Sequence, residues 1–533
     1  MKNLYFLFCF LPIFSLAQVT IPHLETNEFG THLMVHRKPY IVLGGELSNS
    51  TATTMQNMKP VWPKLKALNL NTVLIPVYWE LIESKEGVYD FGLYKNLILE
   101  CRKQNLKIVF LWFGAWKNSM SSHVPAWIKL NQEKYPRSKD QNGKSQEILS
   151  AFSENVFTAD KRSFEHLMSF IKNADQLNQT VIMVQVENEI GMLPSARDHH
   201  ELADRAFHDS VPVELIDYLQ SKREKLVPEL YHLWKTNGFK STGTWEELFG
   251  KGLHTDEIFM AYYYSQFANR LTAAGKKIHP IPMFVNAALN RPGREPGQYP
   301  SAGPLPHLMD VWKASGKDID LLTPDFYNPD FTYWCDLYTR QGDPLLVPEH
   351  VFDNTVAAKA LYSIAHYNSL GFSPFSIESK SKPEDEPLSK MYLMIHNLTS
   401  ILFTNPKDGI LLSKKEQEYI LKMGKYEFTC KNDYTLSWTP GARTEDWPLA
   451  AAAIIQTKEN EFFIAGTGVV ITFKNNENPD LHTGILKAEE GQFENGKWKV
   501  MRHLNGDQTH QGRHVNIPTQ QIAIQRVELY NYK

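Results

Sequence analysis

The sequence predicts an α/β fold, a (β/α)8 TIM barrel followed by a small antiparallel β-domain, and three observations lead to it. Between about residues 40 and 400, eight short apolar runs alternate with longer amphipathic stretches. The runs are rich in Val, Ile and Leu without strict alternation, as strands covered on both faces should be. After about residue 405 the pattern changes to short alternating runs separated by Gly, Asn and Pro clusters, which reads as antiparallel strands.

The eight runs are 39–46, 71–79, 106–114, 180–189, 281–289, 319–327, 344–350 and 371–379. Helix-like segments lie between them at 61–70, 91–105, 162–176 and 354–370. Eight strands with intervening helices close into one parallel barrel. The rival is an open doubly wound sheet, which carries a glycine-rich phosphate loop after its first strand; no such loop follows residue 46 here. The segment 191–280 is unusually long for a strand-to-helix connection and is expected to supply extra helices near the barrel mouth. In the last part of the chain, 414–426 reads as a helix ahead of the short strands. The expected division is 1–17 as a leader, 18–405 as the barrel and 406–533 as the β-rich domain.

The chain has 533 residues, 42% hydrophobic and 12% aromatic, enough to bury a large core. Its formal net charge of −3 offers no basic field for a polyanion, so nucleic acid and anionic membranes are not expected partners. The first residues, MKNLYFLFCFLPIFSLAQ, pair a lysine with an apolar run and then place Ser15 and Ala17 at signal-peptidase spacing. That pattern predicts an exported protein, periplasmic or secreted, cleaved after Ala17. The run is too short for a comfortable membrane span. Cys101, Cys335 and Cys430 are scattered and lack metal-ligand spacing, so neither a disulfide framework nor a metal site is expected. His199 and His200 read as solvated loop residues.

Barrel enzymes carry their reacting groups at the C-terminal ends of the strands, where the following loops form an open cup. The fourth run ends in Gln185, Glu187, Asn188 and Glu189, and the seventh in Glu349. The first ends in Glu46, the second in Tyr78 and Glu80, and the third leads to Trp112, Trp116 and Asn118. The sixth ends in Asp325, which could hold an arginine, and Tyr327. Two carboxyl groups facing each other across one cup suit glycosidic cleavage, one giving a proton to the leaving oxygen while the other attacks the anomeric carbon. Glu187 and Glu189 can share a face of an extended strand and Asn188 need not, unless the chain bends at the strand end. Glu80 and Glu83 read as anchors of the loop after strand two.

The pair Asn188–Glu189, with a lone Glu349 at the seventh strand, resembles the clan A glycoside hydrolases. Within them VQVENEIG (184–191) is similar to the QVENEYG motif of family 35 β-galactosidases. VYWELIESKEGVYDF (77–91) resembles that family's W-x-x-x-E-P-x-x-G-x-Y-D-F stretch, and VPAWIK (124–129) its L-P-A-W segment. The run 495–512 is similar to the β-domain of a bacterial branch that includes xyloglucan-trimming enzymes. The resemblance implies a retaining exo-β-galactosidase without cofactor, Glu189 as acid/base and Glu349 as nucleophile. It implies a carbohydrate substrate, with xyloglucan oligosaccharides as one candidate, and leaves the oligomeric state open. Glu46, Tyr78, Trp116, Asn118, Glu187, Asn188 and Tyr327 are the expected substrate contacts, Asn188 on the sugar 2-hydroxyl and Trp116 as a platform.

The sequence departs from the better-known members at two places. Asn118 stands where their C-A-E-W segment has a galactose-binding Glu, and Pro76 where a binding Tyr is found. A clan relative cleaving another β-glycoside, such as a β-glucosaminide, and a non-catalytic sugar-binding barrel are therefore the alternatives.

Overall fold

The computed structural model describes residues 20–533, so the leader lies outside the described residues. Each of the eight apolar runs forms a strand. They are Val42–Leu43, Thr72–Tyr78, Lys107–Lys117, Val181–Asn188, Met283–Ala288, Leu321–Phe326, Val347–His350 and Gly371–Pro374. Each pairs in parallel with the next in the chain from the second to the eighth, and the eighth pairs with the first. Glu46 closes the ring by bridging Leu74 on one side and Phe375 on the other. The Leu74 N–H donates to Gly45 O at 2.9 Å and the Leu47 N–H to Leu74 O at 3.1 Å. Closure removes both sheet edges, so no strand of the ring is left with an unpaired flank.

The helices form where amphipathic spacing predicts them, at Trp62–Ala67, Gly92–Lys103, Glu154–Asp175 and Val356–His366. The long helix Glu154–Asp175 starts at Ser153, whose hydroxyl accepts from the Val156 N–H. It buries Val156, Phe164, Leu167 and Ile171 on one stripe against the sheet. The segment 191–280 supplies five helices, the last and longest being Leu253–Ile278. No helix of the described residues is long and apolar enough to cross a membrane. The three cysteines Cys101, Cys335 and Cys430 are free and buried.

Two elements differ from the sequence reading. Residues 23–40 are not part of the strand–helix alternation: His23–Asn27, Gly30–Val35 and Lys38–Tyr40 make a separate antiparallel sheet. It sits under the barrel, where the Tyr40 hydroxyl donates to Asn71 O and the His36 N–H to Gln179 Oε1, just ahead of strands two and four. The stretch 414–426 is not a helix. Glu418–Met423 is a strand, turned at Gly424 (φ +54°) and paired with Tyr426–Asn432. Leu421 and Met423 are buried while Lys422 is exposed, so period two prevails over intrinsic helix propensity once a partner strand is present.

The C-terminal strands form a six-stranded and a four-stranded antiparallel sheet packed face to face. Along Ala450–Lys458, Ala450, Ala452 and Ile454 face the core between the sheets. Ala451, Ala453 and Ile455, with Phe463 and Ala465 of the next strand, belong to the same apolar core as the barrel. Small residues let the sheet lie close on helix Val356–His366: a Cβ on Gly409 would stand 2.9 Å from that of Ala365. The β-domain is thus continuous with the barrel wall. Deleting residues 406–533 is expected to expose this shared core and give aggregated chain, measured as soluble yield and dye binding; a soluble fragment with a cooperative melt would refute the packing role.

Candidate active site

The strand ends surround a cup of about 770 Å³ lined by Lys117, Asn118, Glu189, Asp325, Tyr327, Glu349 and Phe375, among others. Glu189 and Glu349 project from strands four and seven, opposite one another across the ring. One carboxyl oxygen from each of Glu189, Asp325 and Glu349 lies within 4.8 Å of the others, and all three residues are buried. A retaining glycosidase needs its two carboxyl groups about 5–5.5 Å apart, and an inverting one about 6.5–9.5 Å. An approach this close leaves the oxygens of Glu189 and Glu349 nearer than the spacing of the second class. Two ionised carboxylates this close repel by roughly 3–4 kcal/mol at an effective dielectric of about 20, so at least one keeps a proton near neutrality.

Glu189 is that group by position and environment. Burial, then the charge of Glu349, push its carboxyl up to about 7, while Lys117 and a hydrogen bond from Asp325 pull the other way. The Asn118 amide donates to the same carboxyl, and the Glu189 N–H donates to Asn286 Oδ1 at 2.9 Å. On the opposite side the Tyr327 hydroxyl donates to Glu349. Glu46 lies beside Glu349; burial first, then that neighbour's charge, push the Glu46 carboxyl well above its usual range. Glu46 therefore meets the nucleophile candidate from behind, enclosed at 1% exposure.

The structure corrects three of the expected contacts. Trp116 is fully enclosed and cannot serve as a sugar platform: its ring packs on Tyr264 and Phe267, and its Nε1–H donates to Leu149 O at 3.2 Å. Tyr78 is also buried, edge-on to Phe113, and its hydroxyl donates to Asn49 O. It holds Asn49, which lines the cup, and is not in the lining itself. Glu187 turns away from the cup. Its Oε2 accepts the Trp116 N–H at 2.8 Å, and its carboxyl pairs with Asp160 of the helix behind. Asp160 in turn takes Trp112 Nε1–H at 2.8 Å and the Ala115 N–H at 3.0 Å. Burial raises both groups, Asp160 to about 6. Gly114 permits the approach, since a Cβ there would sit 2.6 Å from the Glu187 carboxyl.

The reason is local backbone. Glu187 (φ +61°) and Glu189 (φ +45°) both adopt the left-handed region, as do Asn118 and Ser119. The chain bends twice around Asn188, so period-two alternation fails there. Such conformations cost of order 1 kcal/mol or more each and gather at functional sites. Asn188 is fully enclosed; its Oδ1 accepts from Lys117 Nζ at 2.9 Å and its Nδ2 makes no hydrogen bond within the protein.

One residue of the site, Lys117, escaped the sequence reading, and another, Asp325, has a different partner from the one expected. Lys117 ends strand three with its ammonium 5.1 Å from the Phe113 ring centroid, and its charge pulls the carboxyls of Glu46, Glu189 and Asp325 down against the rise from burial. A lysine three residues past the third apolar run was the available signal. Asp325 holds no arginine; its partner is Asn286 Nδ2 at 2.6 Å. Glu83 is an anchor as expected, accepting from Trp79 Nε1 at 2.8 Å and from Arg162 at 3.1 Å. Another cavity of about 400 Å³ adjoins the cup at Tyr299, but its buried Glu257 is already occupied by Tyr299, His307 and the Ala302 N–H.

Residues 32–257 match the family model described as glycosyl hydrolases family 35, a span that includes Glu189 and ends before Glu349. Residues 388–516 match a domain of unknown function, DUF5597, which begins within the barrel's last helix, Pro387–Leu402, and runs into the β-domain. A curated protein similar to this chain is a β-galactosidase from Xanthomonas manihotis, 28% identical over 184 residues. The aligned part is 33% of this chain and 27% of that protein, so the chain spans about a quarter of the length of the curated relative it matches. Among solved structures, a catalytic mutant of a GH42 β-galactosidase from G. stearothermophilus shares the fold. The TM-score is 0.53 at 10% identity, covering 92% of this chain and 98% of that one. A second structure of that enzyme superposes with a TM-score of 0.51 over the same shares.

Because Trp116 is core and Asn118 is not, their substitutions separate. Trp116→Ala is expected to destabilise the protein by about 3–5 kcal/mol in denaturant titration. Asn118→Ala is expected to leave the unfolding midpoint within about 1 kcal/mol while altering the titration of Glu189.

Proposed function

We propose that the chain is a retaining, exo-acting β-glycosidase that removes terminal β-linked galactose from oligo- or polysaccharides. The observation that carries the reading is the separation of Glu189 and Glu349, within 4.8 Å across the mouth of a closed barrel. In the first step Glu349 attacks the anomeric carbon while Glu189 gives its proton to the departing oxygen. In the second, Glu189 takes a proton from water, which displaces the sugar from Glu349. Tyr327 and Glu46 hold the Glu349 carboxyl in place for attack. Asn188, whose Nδ2 has no protein partner, is the donor for the sugar 2-hydroxyl, a contact that strengthens at the oxocarbenium-like transition state.

With Trp116 in the core, Phe375 and the half-exposed Tyr327 are the rings in the cup that suit the apolar face of a sugar. Galactose as the sugar is supported by the family 35 match and the β-galactosidase relative. Galactose-bearing xyloglucan side chains are the substrate that the resemblance of the β-domain favours. The apolar leader with Ser15 and Ala17 supports export.

Proton NMR of an aryl β-galactoside in the first minutes of reaction tests the reading. Release of β-galactose that later mutarotates is expected; α-galactose would make the enzyme inverting and remove Glu349 as nucleophile. The pH dependence follows from Glu189. Its carboxyl must be protonated for the first step, so kcat/KM is expected to fall as pH rises through about 7. Glu189→Gln should lose that basic limb, together with roughly 10²–10⁴-fold in rate on substrates with poor leaving groups. A basic limb that persists in this variant would reassign the acid.

A further inference from the structure

Asp325 closes the sixth strand beside both proposed catalytic carboxyls, and neither step above uses it. In the parallel register it stands opposite Glu349 on one side and Ala288 on the other. One of its oxygens accepts from Asn286 Nδ2 at 2.6 Å, and Asn286 Oδ1 accepts the backbone N–H of Glu189 at 2.9 Å. Asn286 thus ties the Asp325 side chain to the Glu189 backbone. The other Asp325 oxygen is enclosed and has no partner outside the carboxyl group. At 1% exposure water does not screen it.

The charges around it leave little room for another anion. Glu189 faces Asp325 from strand four, Glu349 from strand seven and Glu46 from strand one, and Lys117 on strand three is the cation acting on it. Burial first, then these three carboxyls, push Asp325 well above the usual carboxylate range. A proton on the unpartnered oxygen turns it from an orphan acceptor into a donor. One carboxyl oxygen each of Glu189 and Glu349 lies within 4.8 Å of an Asp325 oxygen, so both residues offer acceptors beside it. Glu189 is the one on which a hydrogen bond from Asp325 acts.

We propose that Asp325 is a positioning residue: a carboxylic acid that keeps its proton through the whole reaction, accepts from Asn286 and donates to Glu189. This rests on Glu189 being the acid/base. In the first step the Asp325 hydroxyl receives the new Glu189 carboxylate and steadies it. In the second it keeps Glu189 acidic enough to be ionised when water must be activated. The donor offsets part of the rise that burial and Glu349 impose, and so keeps Glu189 able to work in both directions.

Two substitutions and one spectrum test this. Asp325→Asn preserves a neutral donor and an acceptor for Asn286. Asp325→Ala removes both. The infrared carbonyl stretch of protonated carboxylic acids is read in the free protein near neutral pH. A component lost in Asp325→Asn is expected. In the pH profile of kcat/KM, the basic limb is expected to stay in place in Asp325→Asn. It should move up by about one pH unit in Asp325→Ala, where the Glu189 carboxylate has lost its donor. A basic limb that moves down in Asp325→Asn would overturn the proposal, because removing an anion, and not a neutral acid, has that sign. So would an infrared component that vanishes as calcium is titrated in, which would make the three oxygens a cation site. If no glycoside is turned over, the proposed function fails, while the infrared difference between wild type and Asp325→Asn still decides whether Asp325 is protonated.

Discussion

Closure of the barrel forces Glu46, Glu189, Asp325 and Glu349 into one desolvated space, and most of the site follows from that crowding. Left to themselves these groups would separate into water. Strands one, four, six and seven are locked into a ring by parallel hydrogen bonds, so their ends cannot move apart. The protein answers the repulsion in three ways visible in the structure. Lys117 supplies a positive charge, Glu46 and Asp325 are driven toward their neutral forms, and Asn118 and Tyr327 donate to Glu189 and Glu349.

A second carboxyl pair in the wall repeats the same device for another purpose. Glu187 and Asp160 lie together under Gly114–Trp116 and accept the Ala115 and Trp116 backbone N–H groups and the Trp112 indole N–H. The segment leads directly to Lys117 and Asn118, which face the cup. Buried polar groups here act as scaffolding: each is costly to leave unpaired and strongly directional once paired. Strain at Glu187, Glu189, Asn118 and Ser119 is absorbed by this framework, and the β-domain adds its apolar face to the barrel core behind it.

Much of this was legible in the sequence. Strands buried on both faces must be apolar runs, so all eight were visible, and the residues that end them named Glu189 and Glu349. The hidden parts have physical causes. Glu187 was misplaced because two left-handed residues break the alternation on which its direction was judged. Trp116 was misplaced because its ring is drawn into the core by Tyr264 and Phe267, which lie about 150 residues farther along the chain. The strand Glu418–Met423 looked helical because its residues suit helices, and only a partner strand decides otherwise.

The sequence by itself determined the class of fold, the number of barrel strands and the two carboxyls at the ends of strands four and seven. These are properties of hydrophobic period and of residue type at run boundaries. Tertiary structure alone decided which side chains enter the cup, that Asp325 joins the pair and that Lys117 balances them. Those outcomes depend on distances between strand ends far apart in the chain, and on how much water the closed ring excludes.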